Sequence, residues 1–387
     1  MPPQPTPSPR IATLDFARGV AVLGILLLNI TAFGLPKAAY LNPAWQGMPS
    51  LTEAWTWAMM DLAVQAKFLT LFSFLFGAGL QLLLPRGKRW VHARLFWLML
   101  IGLVHSIFFW DGDILLDYGL IGLVCYGMIR HAQSSRALLQ TGAIMYLVGV
   151  GVLLILSQLL SLQPGRFWQP SAADIAYEVY WQTSGGPEAW SNRVNLLTES
   201  LLSLGVQYGW LLAGSMLVGA GLMRSGWLKG EFSLEHYRKL ALWLIPLALF
   251  INSIGVAAQW SVQWEYRWSG LLLQIPRELS APVQAVGYLA LCYGFWPTLC
   301  QWRIVYWISD IGRMALTNYL LQTLVCTMLF NHIGLFIRFD RLQLVAIVPL
   351  VWGVNLLFSH YWLRYFRQGP IEWLWRRLTA AIAKGAS

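Results

Sequence analysis

Ten stretches of about twenty largely apolar residues leave this chain no water-soluble fold. They fall at 14–34, 60–84, 92–110, 113–130, 137–162, 200–223, 240–258, 279–298, 304–330 and 342–362. A helix of that length crosses the hydrocarbon core and satisfies its own backbone there, which an open strand cannot do. The expected fold class is therefore all-α, a polytopic transmembrane bundle of about ten spans. Charged residues make up 11% of the chain, against about a quarter in soluble domains. The 22 Trp fit a membrane boundary, where indole is apolar on its face and wet at its N–H. An aromatic, amphipathic stretch (52–59) is expected on the surface before the second span. A re-entrant or interfacial piece is expected at 265–278, ended by Pro276.

The first ten residues hold five prolines, so 1–12 reads as a disordered leader without the pattern of a cleaved signal. One transmembrane domain follows (13–366), then a basic amphipathic tail (367–387). With the N-terminus in the cytoplasm, 17 Lys and Arg fall in inner segments and seven in outer ones. That bias places both termini inside. The longest outer loop, 163–199, contains the turn SGGP and is expected to form a partly ordered cap.

The net charge of +10 reflects this loop bias, and no nucleic-acid recognition motif accompanies it. Cys125, Cys292, Cys300 and Cys326 have no CxxC spacing, and no pair of His or carboxylates has ligand spacing, so no metal is expected. No GxxxxGK[ST] loop occurs, which argues against ATP-driven transport by this chain alone.

Ionisable groups inside the membrane are costly and mark candidate sites. Asp15 and Arg18 share a helix face at the cytoplasmic end of the first span, with Asn29 about three turns further out. His105 lies near the outer end of the third span, just before Asp111 and Asp113, either of which could orient it as a general base. Asp61, Gln65 and Lys67 fall on the second span, Lys67 either holding an anion or satisfying a buried acid; Gly77 and Gly79 there allow close helix contact. Arg313, Asn318 and Gln322 fall on the ninth, lining a cavity or serving as packing glue. Arg18 and Arg313 lie inward, and His105, Asn29, Asp111 and Asp113 outward. That layout suits transfer from a cytoplasmic donor to an outer acceptor, and equally a transporter's pathway.

The strings LDFARGVAVLGILLLNI, FGLPKAAYLNPAW, LFGAGLQ, FWDGDILL, RELSAP, GRMALTNYLLQT and RYFRQGPIEWLW resemble the YeiB family of bacterial inner-membrane proteins over nearly the whole chain. That family is similar, more distantly, to membrane acyltransferases, including those that modify surface polysaccharides and the lysosomal heparan-alpha-glucosaminide N-acetyltransferase. The resemblance implies an inner-membrane location, an acyl-CoA or acetyl-CoA donor from the cytoplasm, and an acceptor at the outer face. Arg18 matches the arginine of the Arg–x10–His motif of the O-acyltransferases, but the histidine position is Asn29. The lysosomal type takes its histidine from the first outer loop, and here 36–51 has none. The base implied is then His105, with Asp113 or Asp111 orienting it. Arg18 and Arg313 would steer the donor, and Asn29 or Asn318 would stabilise the oxyanion. A small-molecule transporter and a non-catalytic membrane protein remain alternatives. The expected partners are lipid, an acyl donor and an acceptor, with a homodimer left open.

Overall fold

A computed structural model describes residues 11–160 and 163–384; the leader, apart from its last two residues, lies outside them. The described chain is all-helical. Its helices are α1 (Ala12–Gly34), α2 (Leu51–Ala63), α3 (Lys67–Leu83), α4 (Lys88–Phe108), α5 (Leu115–His131) and α6 (Ser135–Leu159). Then follow α7 (Ala172–Ser184), α8 (Gly186–Ser203), α9 (Gly209–Arg224), α10 (Leu234–Ser261), α11 (Tyr266–Ser269) and α12 (Ile275–Gly294). The chain closes with α13 (Trp296–Leu299), α14 (Arg303–Arg313), α15 (Ala315–Thr327), α16 (Arg341–Tyr365) and α17 (Pro370–Lys384).

Among the described residues, seven helical stretches are long and apolar enough to cross a membrane: α1, α2–α3, α4, α6, α8–α9, α10 and α16. The chain is a multi-pass membrane protein. Large apolar side chains face outward, as Leu242, Trp243 and Phe250 do on α10, where water would penalise them and lipid does not. The other three predicted segments fall on α5, α12 and the pair α14–α15. Helix α1 is the most enclosed of the seven and packs against α3, α14, α15 and α16.

Two predicted spans are broken. The second is interrupted at 64–66, where Ala66 takes a left-handed φ of 64°. The carbonyl freed at Asp61 accepts from Lys67 Nζ at 2.7 Å and from Asn252 Nδ2 at 3.0 Å, which makes the break tolerable in lipid. The ninth is interrupted at Met314, and Asn318 Nδ2 donates to Ile311 O and Met314 O there. Pro276 does not end a re-entrant piece. It sits in the first turn of α12, where a missing N–H costs nothing, while 265–274 holds only α11 and a single 3-10 turn.

The polar groups divide between two ends. At the end carrying α17, Arg224 donates to Ala132 O, Ile129 O and Gln81 Oε1, and Arg238 to Gly294 O. At the opposite end α7 and α8 form a cap, so the predicted loop 163–199 is largely helical. Ser171 and Asp174 make a capping box at the start of α7. Asn42 Nδ2 donates to Trp168 O, Trp168 Nε1 to Trp264 O and Asn331 Nδ2 to Gln182. Arg341 pairs with Glu53 at 2.9 Å.

Candidate functional site

Glycine places the first two arginines. A Cβ at Gly19 would run into the Ile308 carbonyl, and one at Gly312 into the Asp15 carbonyl, so α1 and α14 touch backbone to backbone. Arg18 and Arg313, each next to one of these glycines, line the same cavity of about 360 Å³. Each has a carboxylate three residues back: Arg18 Nη1 lies 3.4 Å from Asp15 Oδ1 and Arg313 Nη1 3.0 Å from Asp310 Oδ1. Arg313 Nε is buried without a partner among the described residues.

The same mouth carries a third guanidinium. Arg94, in the second turn of α4, lies 3.4 Å from the ring centre of Trp375 on α17, and Trp375 Nε1 donates to Arg94 O at 2.7 Å. Helix α17 is anchored by Glu372, whose carboxylate accepts from Thr317 N at 3.0 Å and Thr317 Oγ1 at 2.5 Å. That puts a negative group on the first turn of α15, where the helix leaves N–H groups unsatisfied. The predicted tail is thus a docked helix, and Glu372 and Trp375 line the cavity with Arg18, Arg94 and Arg313.

Apart from those charged groups the cavity has largely apolar walls from α3, α4 and α5, with Tyr118, Ile114 and Tyr319 among its lining. The Tyr319 ring packs 5.5 Å from the ring of His105. His105 itself is not in the lining. Its Nδ1 lies 2.7 Å from Asp113 Oδ1, while its Nε2 is buried with no hydrogen-bond partner among the described residues. Asp113 uses its second oxygen to accept from Leu116 N at 3.0 Å, capping the start of α5. Gly102 lets α4 approach this turn, since a Cβ there would meet Leu116 N. The arrangement can fix one ring nitrogen as a donor to carboxylate and leave the other as a proton acceptor.

A second cavity, of about 390 Å³, lies on the side of the cap and is lined by Tyr40, Gln65, Gln207, Gln274, Arg277 and Glu278 with apolar neighbours. The two cavities approach at one side-chain pair. Tyr118 lines the first and Ser73 the second, and their hydroxyls are 2.6 Å apart and buried.

The remaining sequence candidates sit elsewhere. Asp111 pairs with Lys37 at the cap end and not with His105. Asp61 is buried, bonded to Arg277 and Asn252. Gln65 does share a cavity with these groups, but the break at 64–66 removes it from the Asp61 helix. Gly77 lets α3 and α9 touch, a Cβ there meeting the Met216 carbonyl; Gly79 faces the first cavity and contacts nothing. Asn318 is held by Ser359 and Asn355, and Gln322 Nε2 donates to Val22 O, so both join helices and neither lines these two cavities. Asn29 is buried and outside both linings. Sequence reasoning missed Arg94, Glu372, Trp375, Tyr118 and Tyr319. A Tyr next to Asp117 inside an apolar run was a signal for Tyr118; Arg94, at the inner end of the 92–110 run, was counted only among the inner charges.

Comparison with known proteins gives the family. The chain is 61% identical to the uncharacterized protein YeiB of Escherichia coli (strain K12) over 374 residues, 97% of either chain. It is 32% identical to the uncharacterized protein YxaH of Bacillus subtilis (strain 168), covering 97% of this chain and 96% of the other. A 39.9 kDa protein from the amylase 3' region of Bacillus acidopullulyticus is 25% identical over 96% of this chain and 94% of its own. Residues 222–382 match the family model described as protein of unknown function (DUF418).

Proposed function

The chain belongs to the YeiB family, and from its two cavities and one histidine we propose that it is a membrane-bound acyltransferase with a cytoplasmic acyl-CoA donor. The observation that carries this reading is His105: buried, fixed by Asp113 at Nδ1, unpartnered at Nε2, and set behind Tyr319 at the deep end of a cavity whose mouth holds three arginines. A volume of about 360 Å³ falls in the range of small-molecule sites and suits an extended thioester arm. Arg18, Arg94 and Arg313 would keep the donor's phosphates at the mouth, where guanidinium pairs well with phosphate.

In this mechanism His105 Nε2 takes the proton of an acceptor hydroxyl or amine as its heteroatom attacks the thioester carbonyl carbon. The carbon–sulfur bond then breaks, and the leaving thiolate recovers the proton from the imidazolium. Asp113 holds the tautomer and stabilises the imidazolium between those steps. The Tyr319 hydroxyl accepts from Ile114 N at 3.3 Å and keeps its own proton to donate toward a developing oxyanion. Rotation of the Tyr319 ring would bring the thioester to His105.

Calorimetric titration of the purified protein with acetyl-CoA and longer acyl-CoA tests the donor half. Saturable binding that weakens with salt and with Arg313→Ala supports it, and absence of binding to any acyl-CoA sinks it. A transport reading draws on the hydrogen-bonded Ser73–Tyr118 pair between two opposed cavities. It requires solute flux in liposomes without an acyl donor.

A further inference from the structure

We propose that the second cavity is a binding site for an uncharged, hydroxyl-bearing molecule approaching from the cap side; under the transfer reading, on which this assignment rests for its role, that molecule is the acceptor. The site is polar in a place where a cavity against lipid would be apolar. Gln65, Gln207 and Gln274 line it with Tyr, Ser and Thr hydroxyls, among apolar neighbours such as Leu28, Leu153 and Leu211.

Charge decides the ligand class. The ionised groups at the cavity are Arg277 and Glu278, paired at 3.3 Å, and Arg277 also reaches Asp61 at 3.2 Å. Lys67, buried, bonds the Asp61 carbonyl at 2.7 Å and brings the local balance to two positive and two negative groups. An ion arriving there would find its countercharges already spent on each other, and its desolvation would go uncompensated. A neutral ligand meets no such cost.

The hydrogen-bond inventory supplies the other half. Gln274 is buried, and its Nε2 donates to Ser269 O at 2.5 Å. Its Oε1 has no partner among the described residues, which leaves a buried acceptor waiting for a donor. Gln207 Nε2 donates to Gly149 O at 3.1 Å, which holds that side chain at the lining. A hydroxyl donates to the Gln274 oxygen without bringing charge, and accepts from the tyrosines in turn. Ser73, in this lining, is bonded to Tyr118 of the donor cavity, so a ligand that replaced Ser73 as the Tyr118 partner would open one cavity toward the other.

Saturation-transfer NMR on the full-length protein in lipid nanodiscs tests the site without any acyl donor. Glucose and myo-inositol are the neutral probes, and gluconate and choline the charged controls. The expected result is transfer to the neutral probes, reduced about fivefold in Gln274→Leu and in Gln207→Leu, as the loss of one buried neutral hydrogen bond implies. Thermal unfolding confirms that each variant is folded, and Gln207→Leu carries the test if the more buried Gln274→Leu does not fold. The assignment is overturned if no neutral probe binds, if the charged controls bind equally well, or if the signal survives unchanged in a folded variant. Probe binding in a protein that binds no acyl-CoA would overturn the transfer reading and leave this site standing. Acyl-CoA binding with no probe bound would do the reverse.

Discussion

Asp113 and His105 form a link in which both carboxylate oxygens are committed: Oδ1 lies 2.7 Å from the imidazole Nδ1, and Oδ2 accepts from the Leu116 backbone N–H. The helix start that Asp113 caps thereby fixes the ring's orientation, so the same residue serves structure and the proposed chemistry. Asp113→Asn keeps a polar group of the same size but presents either an amide N–H or a weaker acceptor to Nδ1. Acyl transfer should fall about a hundredfold or more while donor affinity stays within about twofold. Rates and titrations on the same preparation check this, and equal losses in both would point to a merely structural role.

At the mouth, Arg313→Ala removes a guanidinium whose Nε has no partner among the described residues. Losing one charge-assisted contact to phosphate should weaken acyl-CoA binding about tenfold or more. The defect should shrink at high salt, where all three arginines are screened. Titration at two ionic strengths gives the answer.

Gly312→Leu probes how the mouth is assembled. The new side chain would collide with the Asp15 carbonyl and push α14 from α1, and such overpacking costs about 1–3 kcal/mol. A lower unfolding temperature and weaker acyl-CoA binding are expected together. Gly79→Ala, inside α3 with nothing within contact, should not lower stability.

The cap has its own pH signature. Hydrogen bonds from the Ser171 side chain and then its backbone hold Asp174 below its ordinary value of 3.8. A depressed carboxyl stabilises the fold above the unfolded pKa and loses that contribution as pH falls through the folded one. Amide protection factors in the first turn of α7 should therefore be constant from neutral pH down to about 4, decline below it, and lose that decline in Asp174→Asn.

The all-helical membrane fold was legible because apolar runs of spanning length admit few other structures. His105 and its acid were legible as a histidine beside two aspartates, though spacing left Asp111 and Asp113 equivalent. Only the turn at 109–114 separates them, sending one to Lys37 and the other to His105. Lys67 and Asn318 mislead in an instructive way. A charge or amide within an apolar run looks like a binding group, yet Lys67 bonds the Asp61 carbonyl freed by a helix break and Asn318 bonds carbonyls beside one, and hydropathy reveals neither break. Glu372 and Trp375 were out of reach because a basic amphipathic tail gives no sign of which cavity it covers.

The most direct measurement is transfer of label from radiolabelled acetyl-CoA to membrane material or added hydroxylated acceptor, comparing wild type with His105→Gln in purified, reconstituted protein. Label should move only with wild type, dropping about 10²–10⁴-fold in His105→Gln while acyl-CoA affinity and unfolding temperature hold. Transfer that persists at the wild-type rate in the folded variant would contradict the account.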